Sequence, residues 1–277
     1  MASHEPHTLC LEPLTVLDIP AEEGVALAAA CDIPLVGLWV QSPSVSFAVG
    51  CLVEDGPSAR KVRETLAATG IKALNLEVFD LTPSTDVGKF RPALELGASL
   101  GARSATAIFR DNPDPSRRTD QFAALCALGK ELGVRINVEF IAARSVGTLE
   151  QAADLVRAAG QTNAGIVVDV LHLVRSQGTP DQVRRLDPRL VGHAQLCDGP
   201  IPLAADKWPQ ESGGNRLAPG EGDFPIREFI AALPPMPIGI EVPHSSEALR
   251  GLSAAERVRR LAAATRRFVE SPTAHGR

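Results

Sequence analysis

A closed parallel (β/α)8 barrel, α/β in class and a single domain, is the fold this sequence predicts, and three observations predict it. About eight short apolar runs alternate with about eight Ala-rich amphipathic stretches along the whole chain. The run GIVVDVLH at 165–172 has the form of a parallel strand buried on both faces: four residues without a polar side chain, stopping on the carboxylate of Asp169. The first strand–helix junction, LCLEPLTVLDIP, carries no GxGxxG or GxxxxGK[ST], which an open doubly wound sheet would call for. A length of 277 residues suits one barrel, since such folds routinely run to about 250 residues as one domain. The expectation is one TIM barrel domain over residues 1–277, with 270–277 a frayed tail.

The elements follow in order. The first strand is 8–11 (TLCL), the first helix 21–31 (AEEGVALAAAC), and the second strand 34–40 (PLVGLWV). A segment with Gly, Pro and Ser leads to a helix at 58–68, closed by Gly70 in the position that favours a left-handed residue. Strand three is 73–79 (ALNLEVF), helix three about 90–100, and strand four 104–109 (SATAIF). A loop rich in Asp, Pro and Arg precedes a helix at about 119–132; strand five is 135–140 (RINVEF). Residues 148–159 form a helix with Thr148 as N-cap and Gly160 at its end. Strand six is the GIVVD run, after which the chain should turn into a loop carrying His172, then a short helix at 180–186. Strand seven is 190–196 (LVGHAQL), and residues 197–223 form the longest irregular region. A helix at 225–233, strand eight at 237–242 (PIGIEV) and a closing helix at about 246–268 complete the chain.

Composition narrows the function. The net charge of −5 disfavours a protein that lives on phosphate backbones, and the absence of Tyr with few Phe and Trp removes the platforms for stacking single-stranded bases. The expected partner is a small-molecule substrate, with no nucleic acid and no membrane, and a homo-oligomer is left open. No run reaches the ~18 apolar residues of a membrane span, and the N-terminus lacks a basic region followed by an apolar one. Five cysteines without CxxC spacing fit reduced thiols and a cytoplasmic location.

The polar residues at the strand ends carry the chemistry. Strand five ends on Glu139, strand six on Asp169, strand seven carries Gln195 with Asp198 just beyond, and strand eight ends on Glu241. In a barrel these four ends are neighbours on the C-terminal rim, where such folds keep their sites. Any one of them is explained by helix capping or an arginine partner; four on adjacent strands are not. Three carboxylates aimed at one spot repel unless protonated or bridged by a cation. Glu139, Asp169, Gln195 and Glu241 are therefore expected to hold a divalent metal. Their oxygens favour Mn²⁺ or Mg²⁺, with Co²⁺ or Zn²⁺ also admissible.

The run VEF, VVDVLH, HAQLCD, RLAPGEGDFP and GIEVP resembles the sugar phosphate isomerase/epimerase-like superfamily of xylose-isomerase-like TIM barrels, which also includes family 2 AP endonucleases. The resemblance covers nearly the whole chain and places a metal on the same four residues. Many members have His where this chain has Gln195, in an HxH(L/I)xD pattern, whereas here it reads His193-Ala-Gln195-Leu-Cys-Asp198. Gln at that position is similar to the hydroxypyruvate isomerase and 3-dehydroshikimate dehydratase branches. Likeness to the dehydratases extends to His172 three residues after Asp169, implied as the base, and to Ser212 and Arg216 before PGEG, implied as substrate anchors.

Proton abstraction alpha to a carbonyl, common to the family's non-nuclease members, needs a metal to polarise the carbonyl and a base beside the carbon acid. The expected activity is a metal-dependent isomerase or epimerase of a small sugar-like polyhydroxy carbonyl compound, in which Glu139 and Glu241 can themselves act as acid and base. The alternative is a dehydratase-like lyase with His172 as base. A nuclease is disfavoured by the charge and by six histidines, three of them in tails; a non-catalytic barrel is disfavoured by the intact ligand set. Arg216 has a fork suited to carboxylate or phosphate, but it would pair equally with Glu221 or Asp223. His193 reads as an inward barrel residue, or a substrate contact less readily. Glu77 ends strand three in a similar position, and His244, Lys207 and Trp208 lie on rim loops.

Overall fold

The computed structural model describes residues 7–42, 51–243 and 251–270. Eight strands, β1 (Leu9–Leu11), β2 (Leu35–Trp39), β3 (Lys72–Leu81), β4 (Ser104–Phe109), β5 (Arg135–Glu139), β6 (Ala164–Asp169), β7 (Val191–Leu196) and β8 (Ile238–Ile240), pair in chain order. Every pairing is parallel and β8 closes onto β1, giving the barrel its ring. Outside it stand α1 (Ala21–Ala30), α2 (Pro57–Thr69), α3 (Arg91–Ser99), α4 (Pro115–Glu131), α5 (Leu149–Ala159), α9 (Ile226–Ala232) and α10 (Ala254–Val269). Two short helices, α6 (Val170–Arg175) and α7 (Pro180–Arg185), follow β6, and α8 (Trp208–Gly214) lies in the long loop after β7. Among the described residues no helix is long and apolar enough to cross a membrane.

Local chemistry accounts for where these elements differ from expectation. Helix α4 starts earlier than 119 because the Asp114 side chain accepts from the N–H groups of Ser116 and Arg117, with Pro115 at the first helical position. The chain after β6 turns into a helix rather than a loop, since Asp169 caps it by accepting from the Leu171 N–H. Of the expected closing helix, residues 246–250 lie outside the described residues. The described helix α10 begins after a Ser253–Glu256 capping box, whose reciprocal bonds satisfy N–H groups that no earlier turn can reach.

Alternation along the strands sorts two kinds of core. One set, including Leu76, Ala105, Ile136, Val138, Ile166, Val168, Ala194 and Leu196, is apolar and fully buried. Helices pack on it closely; at Gly97 of α3 an added Cβ would lie 2.2 Å from Leu76. The residues that alternate with them are polar and bond to one another across the strands. Asn137 Nδ2 donates to Ser104 Oγ (2.9 Å), Ser104 Oγ to Asn75 Oδ1 (3.0 Å), and Asn75 Nδ2 to both Thr106 Oγ1 (2.9 Å) and Glu77 Oε1 (2.7 Å). Buried groups of this kind are tolerated because each bond replaces one lost to water.

Register sets the rim. Asp169 of β6 lies opposite Gln195 of β7, Gln195 lies opposite Gly239 of β8, and the Glu241 N–H just past β8 donates to the Leu196 carbonyl. Glu139 lies opposite Val167. Four strand ends are thus held side by side by backbone hydrogen bonds before any side chain is considered.

Candidate active site

Asp169 has both oxygens engaged. Oδ1 accepts from the Leu171 N–H at 2.8 Å, and Oδ2 accepts from Arg216 Nη1 at 2.8 Å. The first turn of α6 then brings His172 back over the strand ends, with Nε2 3.7 Å from Glu139 Oε1 and 3.8 Å from Asp169 Oδ2. Glu139, Asp169 and His172 each offer a ligand atom, all within 4.8 Å of one another, and all three are buried. On the other side Gln195 Nε2 donates to Glu241 Oε1 at 3.1 Å. Arg216 Nη1 lies 2.7 Å from Glu241 Oε2, so one guanidinium nitrogen bridges Asp169 and Glu241.

Burial governs the electrostatics. Desolvation pushes Glu139 well above the usual carboxylate range, and Glu241 and Asp169 add to it. Glu241 is pushed up to about 8, again by burial first, while the Arg216 charge pulls the other way. Burial also raises Glu77 well above its ordinary value, with Glu139, Glu12 and Glu241 contributing. His172 moves in the opposite direction, down to about 4, because a buried imidazolium loses its hydration; Asp169 opposes this, and Arg216 and Arg144 reinforce it. His172 is neutral at pH 7, with a lone pair available.

The donor set fits a divalent cation. Buried carboxylates crowd one spot, a guanidinium already supplies positive charge to two of them, and Gln195 Oε1 is buried with no hydrogen-bond partner. An amide oxygen left without a donor is one that a metal would satisfy. The His172 nitrogen lies close enough to the Glu139 and Asp169 oxygens either to join that ligand set, a mixture that admits transition metals as well as Mg²⁺, or to stand beside it with its lone pair free.

Several residues stand differently from the sequence reading. Arg216 does not pair with Glu221 or Asp223: Glu221 bonds Arg260, Asp223 accepts from the Ile201 N–H, and Arg216 reaches the strand ends. Arg216 Nε donates to the Ser212 carbonyl at 3.1 Å, while the Ser212 hydroxyl makes no hydrogen bond among the described residues. Asp198 is occupied by the backbone, accepting from the N–H groups of Gly199, Phe224 and Gly220, and so holds the loop. His244 lies outside the described residues. Trp208 Nε1 donates to the Leu203 carbonyl, and Lys207 lies 3.9 Å from Asp206.

His193 is turned to a residue the sequence reading passed over. Its Nε2 lies 2.6 Å from Glu12 Oε1, and both side chains are buried. Room for Glu12 depends on two glycines: a Cβ at Gly37 would fall 2.5 Å from Glu12 Oε2, and one at Gly239 2.4 Å from Oε1. The available signal was its place, the first residue after β1, as Glu241 follows β8. Arg144, in the loop after β5, was also missed and acts on His172 through its charge.

Comparison with known proteins agrees with this fold. The sequence matches the xylose isomerase-like TIM barrel family over residues 25–267, and the chain belongs to that family. A 3-dehydroshikimate dehydratase of Pseudomonas aeruginosa is 32% identical over 146 residues, taking in 52% of this chain and 22% of that protein. This chain thus matches about a fifth of the length of that curated relative. Among solved structures, an IolI protein with a bound zinc atom superposes with a TM-score of 0.78 at 17% identity, covering 95% of this chain and 98% of that one. A fusion of a xylose isomerase-like TIM barrel with 4-hydroxyphenylpyruvate dioxygenase reaches 0.78 at 21% identity, covering 95% of this chain and 42% of that one.

Proposed function

We propose that this protein is a metal-dependent lyase that removes water from 3-dehydroshikimate or a close analogue, beginning with proton abstraction alpha to the carbonyl. The observation that carries this reading is His172, buried and neutral, within 4 Å of both Glu139 and Asp169 and anchored one helical turn after Asp169. The dehydratase relative, 32% identical over 146 residues, supports elimination over the other outcomes of the same proton transfer.

Glu139, Asp169, Gln195 and Glu241 would hold a divalent ion, Mn²⁺ or Mg²⁺ by their oxygens, with Co²⁺ or Zn²⁺ also accommodated. Such an ion supplies Lewis acidity that acidifies the carbon next to the substrate carbonyl. His172 takes that proton on its free nitrogen, and the β-hydroxyl departs as water when the proton is returned to it. The resulting double bond completes an aromatic ring after tautomerisation. Arg216, a fork suited to a carboxylate, and Ser212 orient the substrate from the loop after β7. His193, held by Glu12, supports the floor beneath Gln195 rather than touching substrate.

A second reading, isomerase or epimerase, draws on Glu139 and Glu241. Burial raises both, which keeps a proton on one of them to be given; the charge of a bound metal would ionise the other to take one. A single assay separates the readings. Mn²⁺-loaded protein is mixed with 3-dehydroshikimate and, separately, with a panel of ketoses and inososes. Growth of protocatechuate absorbance is the expected result; ketose interconversion without it would instead support the isomerase.

A further inference from the structure

Arg175 and Glu211 form an ion pair that the reaction outlined above does not use. Arg175 Nε donates to Glu211 Oε2 at 2.7 Å and Nη2 to Oε1 at 2.5 Å, a two-bond fork, and Nη2 also donates to the Pro200 carbonyl at 2.8 Å. Both side chains are 4% exposed. The guanidinium lies over the Phe224 ring, 5.1 Å from its centroid. The loop backbone is shaped around the pair: a Cβ at Gly199 would fall 2.7 Å from Glu211 Oε1 and 2.8 Å from Phe224.

A pair this dry is a poor source of stability. Removing two charges from water costs about as much as their attraction returns, and well-packed apolar residues of the same volume commonly do as well or better. What the fork does supply is direction, because two parallel bonds fix both groups in one relative orientation. The elements so fixed matter here. Arg175 is the last residue of α6, one turn beyond His172 and two beyond Asp169. Glu211 lies on α8, immediately before Ser212, whose carbonyl accepts from Arg216. The base of the same loop is already tied by Asp198 to Gly199, Gly220 and Phe224. Glu211 adds a second tie in the middle of the loop, where Asp198 does not reach.

We infer that Arg175 and Glu211 are a positioning pair for the reaction, locking the helix that carries His172 to the loop that carries Ser212 and Arg216. This rests on the reading of those three residues as base and substrate anchors. Misplacing an anchor by about 1 Å commonly costs on the order of 100-fold in rate, so the lock sets turnover more than it sets stability.

The test is the double variant Arg175→Met/Glu211→Leu, which replaces the pair by apolar residues of similar volume, compared with Glu211→Gln, which keeps one acceptor oxygen and turns the other into a donor facing Arg175. The double variant is expected to melt close to the parent and to bind Mn²⁺ with unchanged affinity by calorimetry, yet to lose about 100-fold in kcat on 3-dehydroshikimate. Glu211→Gln, with one of the two bonds left, should lose kcat as well, by less than the double variant. A folded double variant with parental kcat would overturn the proposal, leaving the pair a structural element. A second readout is independent of the substrate: Trp208 lies on α8, three residues before Glu211, and in a Trp39→Phe background it reports the loop alone. Its acrylamide quenching should rise in the double variant. If the parent does not act on 3-dehydroshikimate, the functional reading fails by itself; unchanged Trp208 quenching overturns the lock whatever the substrate.

Discussion

Glu77 in one half of the barrel and the Asp169–Glu241 couple in the other are buried carboxylates held in different ways. In the half built from β1 to β4, Glu77 receives hydrogen bonds from Asn75 and Thr106, neutral donors on the same and the adjacent strand. In the half built from β5 to β8, Asp169 and Glu241 share a nitrogen of Arg216, a cation that arrives from a loop. Strand donors are fixed by backbone register, whereas a loop cation has the freedom to be exchanged for another. The first arrangement suits a permanent part of the floor. The second suits a place where charge is meant to come and go.

Substitutions on either side probe that contrast. The largest effect is expected from Asp169→Asn, which removes one of the carboxylate charges and leaves Arg216 with Glu241 as its one anionic partner at the strand ends: calorimetry should show no Mn²⁺ binding, and turnover should vanish with it. Unchanged Mn²⁺ affinity in that variant would remove Asp169 from the proposed site. His172→Ala should retain Mn²⁺ while kcat falls by about 10²- to 10⁴-fold, the range for loss of a positioned base; equal turnover would assign the proton transfer to the glutamates. Arg216→Met takes away the cation that occupies the same oxygens, so Mn²⁺ should bind more tightly, on the order of tenfold for about 1.4 kcal/mol, while substrate affinity drops. A weaker Mn²⁺ isotherm would mean that Arg216 supports the ligands rather than competing for them. Glu77→Gln should matter least, because the amide oxygen still accepts from Asn75 and Thr106; turnover within roughly fivefold of the parent is expected, the equivalent of about 1 kcal/mol. A large loss there would extend the site into the first half of the barrel.

How much of this was legible beforehand varies along the chain. The strand ends were the clearest. Glu139, Asp169, Gln195 and Glu241 each follow or close an apolar β-branched run, and a parallel barrel turns successive strand ends into neighbours. GIVVDVLH was legible in one respect and not in another. Its strand was plain, but the following helix was hidden, because Asp169 satisfies a helix N-terminus with one oxygen and faces Arg216 with the other. One side chain thus serves both the helix cap and the contact with Arg216. Spacing offers Arg216 either a substrate anion or its near neighbours Glu221 and Asp223; in the fold its partners lie 47 and 25 residues away instead. Glu12 and Arg175–Glu211 gave little linear signal, since each depends on a contact between distant segments.

The sequence by itself determined the alternation of strands and helices, and with it the parallel barrel and the side of the barrel on which polar strand ends gather. Local patterning suffices for that, because hydrophobic period, caps and turn residues act over a few positions. Only the tertiary structure decided which charge neutralises which: that Arg216 comes back to Asp169 and Glu241, that His193 is held by Glu12, and that Arg175 ties the loop through Glu211. Those pairings follow from desolvation. A buried charge must find a partner within a few ångströms, and the closed chain, rather than spacing along the sequence, brings that partner within reach.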